Sequence, residues 1–190
     1  MKLTLASALI LPAMTAAALA QDIDALSAEG RAMIQEFGGA LKSELLAAVE
    51  AGGPAHAVSV CNLRAPEIAA ETAGNHPGWT IARSSHRLRN PQNVPDAYTA
   101  AAIEAFLERA AAGEPVADLA RAGIVEEGDA RVFRMVKAIP TGALCLNCHG
   151  GSEVKPDVEA VLSDLYPEDE ARGFAEGDMR GVFTLRKVLD

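Results

Sequence analysis

Apolar residues recur at helical spacing along the first part of the chain, and this pattern predicts helices there. Over residues 24–51, leucine, isoleucine and phenylalanine return every three or four positions, until the Gly-Gly-Pro run at 52–54 ends the pattern. A shorter helical stretch follows over residues 58–65. Because proline is costly inside a helix, Pro66 is expected to open a new short helix over residues 66–73.

The later part of the chain predicts an antiparallel sheet with helices around it. Short alternating or β-branched runs predict strands at residues 79–84, 124–127, 131–139 and 182–188. Asp96 is expected to cap a helix over residues 97–112, and a shorter helix is expected near residues 158–165. With no repeat and no low-complexity linker, residues 21–190 are expected to form one α+β domain: a long N-terminal helix, then an antiparallel sheet flanked by helices.

Residues 1–20 have the features of a secretory signal peptide. Lys2 precedes an apolar run, and Ala18, Leu19 and Ala20 form a small-x-small cleavage pattern. An uncleaved membrane anchor is the alternative, but Pro12 and the alanine-rich composition favour cleavage. The chain is therefore expected to be exported to a bacterial periplasm, without stable insertion into the membrane.

Charge excludes one class of partner. The 190 residues contain 26 acidic and 17 basic side chains, for a net charge of −9. Binding to nucleic acid requires a basic surface, so no nucleic-acid partner is expected, whereas a basic protein partner would suit this chain. The three cysteines are too few for a disulfide scaffold, and their number is odd.

Cys145, Leu146, Asn147, Cys148 and His149 form the C-x-x-C-H signature of c-type haem attachment. Two thiols three positions apart on a helical turn can form thioethers with both vinyl groups of one porphyrin, and the adjacent histidine can reach the iron. Covalent attachment takes place outside the cytoplasm in bacteria, in agreement with the export signal. One covalent haem c is expected, in a redox protein rather than a substrate-converting enzyme.

Two other uses of these cysteines are open to the sequence. A thioredoxin-like redox pair would need a parallel βαβ setting, which the pattern does not provide. A zinc site formed by Cys61, Cys145, Cys148 and His149 has acceptable spacing and is the stronger alternative.

Haem iron commonly takes a second axial ligand, and several residues can supply it. The candidates are His56, His76, His86, Met135, Met179 and Cys61. Cys61 stands out as the odd cysteine on an apolar helix face, with Arg64 three positions on, because a nearby arginine lowers the pKa of a thiol. Most free cysteines, however, are small buried hydrophobes, and the residues alone leave the choice open.

Several segments resemble a family of haem-binding PAS-like domains, formerly catalogued as a domain of unknown function, that includes cyanobacterial single-haem cytochromes. The matching runs, in chain order, are residues 57–61, 65–69, 88–96, 145–150, 165–167 and 177–181. The resemblance implies a PAS-like sheet and one covalent haem anchored by Cys145 and Cys148, with His149 and Cys61 as the iron ligands. Phe174 departs from the family, in which a tyrosine is expected.

Polar residues around these runs suggest further roles. Arg83, Arg87 and Arg89 concentrate positive charge and can either pair with haem propionates or form a solvated face. Asn90 and Asn93 are expected to hold the proline loop through side-chain-to-backbone hydrogen bonds. The leading function is electron transfer or redox sensing at low potential, because a thiolate stabilises ferric iron. A haem-based gas sensor with a separate partner is the alternative, and a peroxidase using His86 lacks support.

Overall fold

The computed structural model describes residues 13–189, with side chains from Asp22 onward, and confirms the α+β class. The predicted signal peptide, residues 1–20, lies outside the residues whose side chains are described. In chain order the helices and strands are α1 (Ala13–Asn75), β1 (Trp79–Ser84), α2 (Ala97–Ala111), β2 (Ala120–Glu127), β3 (Ala130–Pro140), α3 (Leu146–His149), α4 (Pro156–Leu165) and β4 (Met179–Val188).

One antiparallel sheet in the order β1-β4-β3-β2 lies at the centre, with a helix on each face. Alternation along the strands sends every second side chain to each face. The α1 face buries a cluster that includes Met33, Phe37, Trp79, Phe133 and Leu185. The opposite face buries a cluster that includes Ile103, Phe106, Leu119, Val136 and Val182, against α2. The N-cap predicted at Asp96 is confirmed, since its carboxylate accepts a hydrogen bond from the backbone N–H of Thr99.

Helix α1 folds back on itself and forms a helical hairpin. At the bend, Gly52 and Gly53 leave helical geometry, and Gly53 has φ of 76°, a conformation that costs glycine least. Glu36 on the first arm accepts hydrogen bonds from Asn75 at 2.9 Å and pairs with His76 at 2.8 Å, at the far end of the second arm. The break predicted at residues 52–54 is therefore confirmed, and it separates two antiparallel arms.

The helix start predicted at Pro66 is wrong, because the second arm continues through this proline to Asn75. Proline removes one hydrogen bond from the helix and strains the turn before it. Tertiary packing compensates for this cost: Val58 and Ile68, on either side of Pro66, are both buried. Local propensity is thus overridden by burial of the helix face.

The N-terminal part of the second arm packs against α4, whereas its C-terminal part, around Ile68, packs against the sheet. Val58, Val158 and Leu162 form a third buried cluster, on which Cys148 and Tyr166 also pack. Beside this cluster β4 runs so close to β1 that a Cβ at Gly181 would clash with the carbonyl oxygen of Ser84. The candidate site lies where the second arm, α3, α4 and the ends of β1 and β4 converge.

Within residues 13–189, no helix has the combination of length and apolar character needed to span a bilayer.

Candidate cofactor site

The predicted attachment motif occupies a single short helical segment. A 3₁₀ turn over Ala143–Cys145 continues directly into α3, which holds Cys148 and His149. The backbone N–H of Gly142 lies 3.4 Å from the sulfur of Cys145. Cys145, Cys148 and His149 are all partly buried, so the structure brings the three predicted residues of the motif to one place.

His149 is held in a defined tautomer. Its Nδ1 lies 2.8 Å from the carbonyl oxygen of Ala171. Because a carbonyl can only accept, Nδ1 carries the proton and Nε2 keeps its lone pair, which is the arrangement of a metal-binding imidazole. Burial, with the positive charges of Arg180 and Arg89, lowers the pKa of His149 to about 2. The ring is therefore neutral at ordinary pH.

Residues 169–174 support the motif from behind, a role that sequence reasoning missed. The backbone N–H of Phe174 donates to the carbonyl oxygen of His149 at 3.0 Å. Its buried ring stands edge-on to the imidazole, with 6.2 Å between centroids and 89° between planes. Arg89 donates to the carbonyl oxygen of Cys148 at 2.5 Å and pairs with Asp169 at 3.0 Å. Apart from the unusual phenylalanine, the sequence gives little signal for these contacts, since backbone groups make most of them.

Cys61 lies on the second arm of α1, partly buried and close enough to Cys148 for the two thiols to interact electrostatically. Burial raises the pKa of the Cys61 thiol, and the nearby charge of Arg83 acts in the opposite direction. The role predicted for Arg64 is wrong. Three glutamates surround this arginine: Glu44, Glu67 and Glu71. The cation beside Cys61 comes instead from β1.

Three arginines at the site, Arg83, Arg87 and Arg180, have no carboxylate partner among the described residues, and this suits a ligand with carboxylates. Among the described residues, Arg83 has no hydrogen bond or ion pair, although burial lowers its pKa. Arg180 contacts His149, Ser85 and the backbone of Arg87, without an ion pair in the described chain. Haem carries two propionates, so the residues present fit this cofactor in charge as well as in their thiol and imidazole groups.

The other candidate ligands have different surroundings. His76 is bonded to Glu36, and Met135 and Met179 lie in the two cores of the sheet. His86 packs edge-on to Phe174, 5.9 Å between centroids, and its buried Nδ1 has no partner in the described chain. Asn90 accepts from the backbone of Gln92, which holds the proline loop as predicted.

The zinc alternative gains no geometric support. Across residues 13–189, no three His, Cys, Asp or Glu side chains come together in an arrangement that could hold a metal ion.

Comparison with known proteins agrees with this cofactor chemistry. The model of a family described as Tll0287-like matches residues 8–187. Among solved structures, the chain is similar to the crystal structure of the cyanobacterial heme-protein Tll0287, with 27% identity and a TM-score of 0.55. That match covers 69% of this chain and 73% of the other. None of the curated proteins matches.

Proposed function

The chain belongs to the Tll0287-like family of haem-binding proteins, and we propose that it is an exported monohaem c-type cytochrome. In this proposal Cys145 and Cys148 anchor the haem through thioethers, and His149 and Cys61 are the axial ligands. The protein transfers electrons or reports redox state, and it does not convert a substrate.

The observation that carries the proposal is the state of His149 beside the two thiols. Its Nδ1 is fixed by the carbonyl oxygen of Ala171, 2.8 Å away, so Nε2 presents its lone pair from the end of the C-x-x-C turn. The edge-on ring of Phe174 restricts rotation of the imidazole. Bound haem would supply a one-electron iron couple at this place.

Cys61 accounts for the third cysteine. It reaches the site from a different element, the second arm of α1, and lies near Cys148 in space although the two are far apart in sequence. A thiolate ligand donates electron density and stabilises ferric iron. The proposal therefore includes a low reduction potential.

Export and partner choice complete the proposal. The signal-peptide features of residues 1–20 support a periplasmic location, where c-type haem is attached. A net charge of −9 supports a basic redox partner, because opposite charges accelerate encounter.

The test is expression of the full chain, with its signal peptide, in a bacterium that matures c-type cytochromes. We expect periplasmic protein with one covalent haem per chain, measured by pyridine-haemochrome absorption and intact mass. The variant Cys61→Ala should keep the covalent haem and lose the wild-type low-spin ferric spectrum. The variant Cys145→Ala, matched in chemistry, should change the pyridine-haemochrome maximum because one thioether is missing.

A haem-free product that contains zinc would contradict the cytochrome assignment. An unchanged ferric spectrum in Cys61→Ala would remove Cys61 as a ligand without affecting the rest. Carbon monoxide binding by the reduced protein, without electron exchange with a basic cytochrome, would favour the gas-sensor alternative.

A further inference from the structure

We propose that Arg83 and Arg180 together bind the two haem propionates, whereas Arg87 and Arg89 belong to the protein frame of the site. This assignment rests on the proposed haem binding. Of the three arginines that the sequence offered as propionate ligands, it keeps Arg83 alone. It adds Arg180, which lies on a different strand, β4.

Arg83 enters the site from the sheet. It is the fifth residue of β1 and lies on the same face as Trp79 and Ile81, the face that α1 covers. Its positive charge acts on Cys61, Tyr166 and His149, which places it among the candidate ligands. It makes no ion pair or hydrogen bond with any described residue. A partly buried cation without a partner is unfavourable, so this position calls for an anion.

Arg180 loses its main partner when the proposed ligation is made. Its Nε lies 3.1 Å from Nδ1 and 3.2 Å from Nε2 of His149, and its Nη1 lies 3.2 Å from the hydroxyl oxygen of Ser85. Since Nδ1 of His149 is already a donor, Nε2 is the atom that accepts from Arg180. With that lone pair committed to iron, the Arg180 guanidinium has a free donor next to the haem. Asp169 is near enough to act on its charge but is already bonded to Arg89 and Arg172.

Arg87 and Arg89 are satisfied by the protein itself. The Arg87 guanidinium stacks on the ring of Phe174, 3.7 Å from its centroid, and donates to the carbonyl oxygen of Arg172 at 2.6 Å. Arg89 is paired with Asp169 and holds the carbonyl oxygen of Cys148. Both therefore shape the wall behind the motif: Arg89 has its own carboxylate, and Arg87 is held in place by the Phe174 ring and the Arg172 backbone.

The number and type of the remaining groups match the ligand. Arg87 is held on the ring of Phe174, so Arg83 and Arg180 are the two guanidiniums left for the two carboxylates of haem. Arg–carboxylate pairs are strong when both hydrogen bonds form. The rest of the chain has an excess of acid, with 26 acidic against 17 basic residues. Keeping two arginines free of these acids at one place is what binding of a dianionic ligand requires.

The test uses the exported, haem-loaded full chain and three charge-matched variants: Arg83→Gln, Arg180→Gln and the control Arg87→Gln. Resonance Raman spectroscopy measures the propionate bending band, which shifts when the propionates lose hydrogen bonds. We expect a shift in each of the first two variants and none in the control. Each variant removes one positive charge, so a lowered reduction potential in all three is expected and does not by itself separate them.

Unchanged bands in Arg83→Gln and Arg180→Gln, a shift in only one of them, or an equal shift in Arg87→Gln would each overturn the assignment. If a glutamine variant accumulates without haem, the lysine variants decide. Restored haem incorporation with lysine supports a binding role, and continued failure assigns the residue to folding and overturns the proposal. Wild-type protein without haem would instead overturn the proposed function, and pyridine-haemochrome absorption distinguishes these results.

Discussion

Two arginine clusters lie at different places on the same sheet, and the protein neutralises only one of them. On the α2 face, the side chain of Arg134 is 6% exposed and contacts Asp96 at 2.5 Å and Glu127 at 2.6 Å. At the candidate site, Arg83, on the α1 face of β1, and Arg180, near the start of β4, have no carboxylate of their own in the described chain. The buried Arg134 thus has carboxylate partners, whereas the partly buried Arg83 and Arg180 have none among the described residues.

Each cluster also contacts an aromatic ring through its guanidinium groups. Arg134 lies 4.8 Å from the ring centroid of Tyr98, and Arg87 and Arg180 lie 3.7 and 5.4 Å from that of Phe174. Both clusters have arginine–ring contacts, so they differ in whether carboxylates neutralise the arginines. The Arg134 cluster is thus neutralised within the protein, whereas Arg83 and Arg180 have no carboxylate partner among the described residues and remain available for the proposed anionic ligand.

The largest expected effect comes from removing the ring at the second cluster. Phe174 is 3% exposed, so Phe174→Ala should lower the free energy of unfolding by about 3–4 kcal/mol through lost burial and a cavity. In haem-loaded protein it should also broaden the ferric spectrum, because His149 gains freedom. Tyr98→Ala, at a partly buried ring, is the control and should cost less in urea unfolding. Equal losses in the free energy of unfolding would show that the two rings contribute equally to stability.

A smaller effect separates the arginines themselves. Arg134→Gln leaves Asp96 without its cation and Glu127 with Arg186 alone, and the free energy of unfolding should fall by about 2–3 kcal/mol, less than for a fully buried ion pair because both carboxylates are partly exposed. Arg83→Gln breaks no internal pair and removes a partly buried cation that has no partner among the described residues, so in chain made without haem it should not lower the free energy of unfolding. Urea unfolding of both variants measures these changes. A comparable loss of stability in Arg83→Gln would contradict the claim that Arg83 has no partner within the described chain.

The smallest effect is the response to acid. Hydrogen bonds from Arg134 and Arg186 lower the pKa of Glu127; burial opposes the shift at Asp96, but hydrogen bonds from Thr99 and Arg134 outweigh it. Their stabilisation is complete above the ordinary pKa values of 4.5 and 3.8 and is lost as pH falls through the lower folded values.

Wild type should therefore lose stability below about pH 4, and Arg134→Gln should lose less over the same interval. The difference between the two urea-unfolding curves against pH isolates this pair from other lowered carboxyls such as Asp169. Parallel curves would contradict the assigned network.

Much of the fold follows from local patterns in the sequence. The break at residues 52–54, the cap at Asp96 and the strand at Trp79–Ser84 are confirmed because each depends on a few adjacent residues. Strand β2 begins earlier than predicted, at Ala120, because pairing with β3 recruits exposed residues that have no alternating pattern. The helix start predicted at Pro66 is wrong for the same reason, because tertiary packing decides whether the helix continues through the proline.

The candidate site likewise has features that adjacent residues determine and features that tertiary packing determines. The C-x-x-C-H motif could be located from the sequence alone, since haem attachment requires these residues to be adjacent. The cation near Cys61 was expected from Arg64, three positions away, yet glutamates on the same helical hairpin surround that arginine, and Arg83 takes its place through the fold. The carbonyl oxygen of Ala171 belongs to a residue whose side chain carries no signal at all.

The helical hairpin also bears on the order in which the molecule is made. Its ion pairs, Glu44 to Arg64 and Glu36 to His76, span 20 and 40 positions, so they can form once the first two fifths of the chain are available. The sheet is different, because β4 lies between β1 and β3 and follows both in the chain. Cys61 is thus on a pre-formed platform while Arg180, on β4, arrives last, and the cofactor site closes only at the end of synthesis.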